Sequence, residues 1–184
     1  MVKLWSLDGI EGRYTKPNGN IEPYLTLRGH TGPLLAVAGL VEDRKTAKNK
    51  NLLFTAGDEG CIRVWDVPSI SEVHQYGDTM DGKNYCIGVW SDGSNREAIW
   101  DLKYHPFQDL LLSISANSAY GSVLVWNCAE IDVNGQNDGK VASRYAYSTQ
   151  GNRSGADEEV PTSCTWLETQ QNHFVVSYNE GSIV

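Results

Sequence analysis

One phrase recurs at near-equal intervals along the chain, and it restricts the fold more than any other feature. It reads "VKLWSL" (2–7), "GCIRVWDV" (60–67), "GSVLVWNC" (121–128) and "GSIV" (181–184). Trp5, Trp65 and Trp126 stand 60 and 61 residues apart, and Gly60, Gly121 and Gly181 stand 61 and 60 apart. Each copy alternates apolar residues with polar or small ones, the period-two pattern of a strand with two unlike faces. A second short apolar strand precedes each later copy: "NLLFTAG" (51–57), "LLLSISA" (110–116) and "HFVVSY" (173–178). A third precedes those: "PLLAVAGL" (33–40), "AIWDLKYH" (98–105) and "TSCTWLE" (162–168). The unit is thus a run of short antiparallel strands joined by tight turns such as "GDEG" and "YNEG".

A small antiparallel unit cannot bury both of its faces alone and must stack on neighbours of its own kind. Arranged radially, such units are the blades of a β-propeller. The predicted fold class is all-β: a partial propeller, 1–184, of about three four-stranded blades out of an expected total of about seven, with long inter-blade loops. The blades are expected at 24–67 and 98–128, with a truncated one at 160–184 and the end of a preceding blade at 1–7. The repeat exceeds the usual blade length of about 40–45 residues. Its surplus lies in polar segments at 68–97 and 129–159, which are expected as inter-blade loops. An open arc of this kind exposes blade faces and strand edges, which predicts marginal stability for the isolated chain.

The formal net charge of −8 is a poor starting point for binding nucleic acid or an anionic membrane, both of which need a basic face. The longest apolar run, "LLAVAGLV" (34–41), is far too short to span a bilayer, and no signal peptide is visible. Four cysteines, Cys61, Cys86, Cys128 and Cys164, show neither a CxxC pair nor zinc spacing. Three of them fall in predicted strands, where a free thiol behaves as a small hydrophobe, so a reduced, cytoplasmic setting is expected.

The stretch "YLTLRGHTGPLLAVAGL…NLLFTAGDEGCIRVWDV" resembles a WD repeat: a Gly-His pair, then an Asp in the turn, then Trp-Asp. In that family a His, a Ser or Thr, an Asp and a Trp form a buried hydrogen-bonded tetrad, and the matching positions are His30, Thr55, Asp58 and Trp65. Burial of an imidazole and a carboxylate is costly unless each satisfies the other. The same group read as a catalytic triad is the weaker interpretation, because it sits in the repeat register. The next unit places Asn95 and Ala116 where the His and Asp would be, and the third has Val176 and Asn179 in place of the Thr and Asp. Trp5, Trp126, Gly60, Gly121 and Gly181 are expected to complete the blade cores.

A narrower resemblance is to the striatin family. It is carried by "IEPYLTLRGHTGPLLAVAG", "DVPSISEVHQYGD", "REAIWDLKYHP" and "EEVPTSCTWLETQQNHFVVSYNEGSIV", in collinear order and broken mainly at 130–157. The fungal striatin-like subunits of the pheromone-arrest (Far) complex are the nearest in kind. The resemblance implies a non-catalytic scaffold of a protein phosphatase 2A–kinase assembly (STRIPAK). Its partners would be the other subunits, and it would be cytoplasmic, reaching endomembranes through the complex. In such proteins a coiled coil binds the phosphatase and a separate segment binds calmodulin. Neither contact is expected here, since this stretch has no heptad run and no basic amphipathic helix. The alternatives are an unrelated WD-repeat adaptor and, more remotely, a propeller enzyme, for which Asp101 is the one acidic residue on the inward first strands.

Aromatic residues in the loops of one face, Tyr76, Tyr85, Trp90 and Tyr120, are candidate partner contacts, because interfaces favour Tyr and Trp. The competing reading is that "YCIGVW" (85–90) packs back on its own blade. The basic run Arg44, Lys45, Lys48 and Lys50 reads as a solubilising loop tip. "DVNGQNDGK" (132–140) fails as a calcium loop, because Asn137 falls where glycine is required and Ser143 where the closing acid should stand. No phosphate-binding glycine loop, zinc-protease helix motif or nucleophile elbow is present, and no catalytic residue, cofactor or metal is assigned. His105, in "YHPF", is expected only to shape a turn.

Overall fold

The computed structural model describes residues 1–5, 23–40, 51–68, 85–91, 97–115, 123–129, 131, 140–145, 160–170 and 172–179. Every regular element among them is a strand: β1 (Val2–Leu4), β2 (Leu25–Leu27), β3 (Leu34–Leu40), β4 (Leu52–Gly57), β5 (Ile62–Asp66), β6 (Cys86–Trp90), β7 (Ile99–Tyr104), β8 (Leu110–Ser115), β9 (Val123–Asn127), β10 (Lys140–Tyr145), β11 (Pro161–Trp166) and β12 (Phe174–Tyr178). They form two four-stranded sheets, β3-β4-β5-β6 and β7-β8-β9-β10, and two two-stranded sheets, β1-β2 and β11-β12. All pairings are antiparallel. The first strands gather together, β3 against β7 and β7 against β11, so the sheets stack like the blades of a partial propeller.

Alternation along each strand builds this stack. In β4, Leu52, Phe54 and Ala56 face one way and enter a core shared with Ile99, Leu102, Leu111 and Trp126 of the next sheet. On the opposite face Leu53 joins Trp65 and Val67 in a second core against Val2, Leu4 and Leu27. The third core joins Leu112, Ile114, Val123 and Val125 to Cys164, Trp166, Val176 and Tyr178.

The expected blade boundaries shift in two ways. The segments 68–97 and 129–159, expected as loops, contain β6 and β10, each the fourth strand of its sheet. A single flanking strand needs only one partner, so it can sit within an otherwise polar stretch. The stretch 24–67 is not one sheet either, because β2 pairs with β1 and not with β3. The sequence repeat and the sheet are therefore out of step by one strand.

A feature not legible in the sequence recurs in all three first strands. The register slips between Leu34 and Ala36, between Ile99 and Asp101, and between Pro161 and Ser163. The extra residues, Leu35, Trp100 and Thr162, occupy the same β-bulge in successive sheets.

Candidate functional site: a locked polar relay and the seams between sheets

Burial concentrates the polar chemistry beside Trp65. The indole N–H donates to Thr55 Oγ1 at 2.8 Å, and that hydroxyl meets His30 Nε2 at 2.6 Å. On the far side of the ring, His30 Nδ1 meets Glu59 Oε1 at 2.5 Å. One assignment of protons satisfies every link. The indole donates to the hydroxyl, the hydroxyl donates to Nε2, and Nδ1–H donates to the carboxylate. Burial lowers the pKa of His30, outweighing the nearby Glu59 charge, so the imidazole is neutral near pH 7 and this tautomer fits.

The acid is therefore Glu59, not Asp58. Gly57 and Gly60 explain the change. A side chain at Gly57 would strike the Pro33 carbonyl, and the Asp58 N–H donates to that carbonyl at 3.0 Å. Gly60 N–H closes the turn on Gly57 O at 3.2 Å with φ of 67°, which glycine adopts without strain. This geometry leaves Asp58 exposed and turns Glu59 inward. The Glu59 carboxylate also accepts from the Thr31 N–H at 2.7 Å and hydroxyl at 2.6 Å, from the Cys61 thiol and from Arg63 Nε. Burial alone would raise its pKa, but these donors hold it well below the usual carboxylate range. Gly29, of the Gly-His pair, lies where any β-carbon would come within 3.1 Å of the Trp65 ring.

His30, Glu59 and Cys61 offer one nitrogen, one oxygen and one sulfur within 4.8 Å of one another. A metal ion there would have to displace the protons that link these groups and sit beside the Arg63 cation, so the donor set suits hydrogen bonding better than a metal. Burial, with the Glu59 bond adding to it, pushes the Cys61 thiol up to about 12. Burial likewise pushes Cys164 up to about 12 and raises Cys128. Thiols in this state are poor nucleophiles.

The next sheet keeps half of the relay. Trp126 Nε1–H donates to Ser113 Oγ at 2.8 Å, and both residues are buried. Ser113→Ala is expected to leave that indole N–H without an acceptor and to lower stability by about 1–3 kcal/mol. Chemical denaturation of the two proteins checks this, and an unchanged midpoint would refute the bond's importance.

Asp101 stitches β7 to the following sheet. Its Oδ2 accepts from Ser163 Oγ at 3.0 Å and from the Cys164 N–H at 3.2 Å, and its Oδ1 accepts from Lys103 Nζ at 2.7 Å. Trp166 Nε1–H reinforces the seam by donating to the Lys103 carbonyl at 2.9 Å. His105 is 1% exposed; its Nδ1 accepts from the Phe107 and Gln108 N–H groups, and its ring meets Trp166 edge-on.

Other expected positions fare differently. Tyr85 and Trp90 are core residues at 6% and 2% exposure, not partner contacts: Tyr85, just before β6, packs in the core of Leu27, Trp65 and Val67, and Trp90 packs against Phe54 and Trp126 of the next sheet. Trp126 is core, whereas Trp5 is 54% exposed. Among the described residues β1 pairs only with β2, so no strand lies beside Trp5 as β4 lies beside Trp65. Tyr76, Tyr120, Gly121 and Gly181 lie outside the described residues.

Comparison with known proteins bears on the same features. Residues 21–66, which include the whole relay, match the family described as "WD domain, G-beta repeat". The full chain aligns with a striatin homolog of Dictyostelium discoideum at 31% identity over 185 residues. It also aligns over 100% of its length with human Striatin-3 at 30% identity and human Striatin-4 at 26%. The chain belongs to the striatin family of WD-repeat proteins. It spans 19–21% of the length of these striatins. In this striatin-family chain the relay of 30–65 is the most complete polar cluster among the described residues, and Asp101 provides a separate link between sheets.

Proposed function

We propose that the protein is a non-catalytic interaction subunit of a striatin-type assembly of protein phosphatase 2A and kinases, acting in the cytoplasm and reaching endomembranes through that assembly. The observation that carries this reading is the collinear similarity to striatins along the whole chain. The polar groups agree with it. His30, Thr55 and Glu59 are committed to one another, and Asp101, the acid that an enzymatic reading would need, is committed to Lys103, Ser163 and Cys164. The sheets present surfaces to other subunits, while phosphatase anchoring and calmodulin binding belong to segments other than this one. Affinity purification of the full-length protein from its own cells, read by mass spectrometry, should recover phosphatase 2A and kinase subunits. Deleting 34–179 should lose the kinase-side subunits and keep the phosphatase. Recovery of neither class would overturn the assignment.

A further inference from the structure

We infer that a cavity beside Ser113 is a binding site for one buried water molecule, which does in the second four-stranded sheet what the His30 imidazole does in the first. The site is independent of the interaction role proposed above.

Register locates the cavity. Thr55 pairs with Arg63, and two residues earlier Leu53 pairs with Trp65. In the second sheet Ser113 pairs with Leu124 and Leu111 with Trp126. Ser113, Leu124 and Trp126 therefore stand where Thr55, Arg63 and Trp65 stand in the first. Those three surround the His30 ring. Thr55 meets it at 2.6 Å, the Trp65 ring centroid lies 6.1 Å away, and the Arg63 charge acts on it. Their counterparts line one small cavity, together with Glu97, Ser115 and Gly60. The second sheet thus holds a space bounded like the seat of the imidazole. Because Gly60 belongs to the β4–β5 turn, that space lies at the seam between the two sheets.

Hydrogen bonding identifies what the space takes. A hydroxyl accepts bonds and also has one proton to donate. Thr55 accepts from Trp65 and gives its proton to His30. Ser113 accepts from Trp126 at 2.8 Å, but its own proton meets no acceptor among the described residues, although the residue is only 2% exposed. A buried hydroxyl with an unused proton is costly, because nothing replaces its lost hydration. About 10 Å³ of the cavity is open to the centre of a water molecule, enough for one water and too little for an organic ligand. Such a water accepts the Ser113 proton and donates its own to oxygens of Glu97 and Ser115. Glu97 is exposed and makes no direct bond to Ser113, so any link between the two runs through the cavity.

A crystal structure of the full-length protein, at a resolution that shows ordered water, is the direct test. It should show one water within hydrogen-bond distance of Ser113 Oγ, between that atom and Glu97 or Ser115. A cavity without density, a protein side chain filling it, or Ser113 donating to a protein carbonyl would overturn the site. Thermal melts of the full-length protein give a second reading. Glu97→Ala should lower the melting temperature by several degrees in the parent and by about half as much or less in the Ser113→Ala background, because a shared water couples the two side chains. Phe107→Ala, also exposed but outside the cavity, should shift neither background. Equal effects of Glu97→Ala in both backgrounds would mean that no water joins the two residues, and the site would fall.

Discussion

Phe54→Ala is expected to lower stability by about 3–5 kcal/mol. Phe54 is 0% exposed at the centre of the core shared by the two four-stranded sheets. Its ring lies 5.8 Å from Trp90 of its own sheet and 5.7 Å from Tyr104 of the next. Removing it opens a cavity at the seam and strips both rings of contact. Since a whole domain is worth only about 5–15 kcal/mol, a denaturant titration should show a large fall in midpoint or no cooperative transition at all. Phe107→Ala, at a position 57% exposed, should stay within about 0.5 kcal/mol of the parent. Equal effects from the two would mean that the sheets do not share a continuous core.

Glu59→Ala is expected to cost about 2–4 kcal/mol, and Asp58→Ala to cost little. The first change leaves the His30 Nδ1–H, the Thr31 N–H and Arg63 without their common acceptor. The second removes a carboxylate that points into solvent. Acid should expose the same difference. The carboxyl of Glu59 is held below its ordinary value of 4.5 in the folded state, so its contribution is fully present above that value and is lost as pH falls towards the folded one. The imidazole of His30 is held below 6.5, so the unfolded chain takes up its proton first and stability starts to fall as pH drops below that value. Both effects weaken the protein in acid. Melting curves between pH 7 and about pH 3 should be flatter for Glu59→Ala than for the parent. A steeper or unchanged profile would show that Glu59 does not carry the load assigned to it.

The strands that face two cores were legible from alternation, as in "LLFTAG" and "IRVWD", because both faces carry apolar residues at fixed spacing. The fourth strands were not. "KVASRY" has no apolar alternation, and "CIGVW" lies in a stretch whose turn residues dominate its composition. Pairing along one edge is enough to hold such a strand, and composition does not record it. The relay was readable to within one residue. Asp58 and Glu59 are adjacent acids in a turn, and only the close approach at Gly57 and the left-handed Gly60 decide which one faces inward. The bulges left no mark in the sequence, because Leu35, Trp100 and Thr162 share position but no chemistry.

The one-strand offset between repeat and sheet makes each repeat a splice. Residues 21–66 contribute β2 to one sheet and β3, β4 and β5 to another, and the link between them is the segment that Glu59 grips through His30 and Thr31. Adding or removing a single repeat therefore edits two sheets at once, and the junction travels with its own clasp. Exchange of blades between related proteins would best be cut between a third strand and the fourth that follows it, which leaves the clasp of Glu59 on His30 and Thr31 whole.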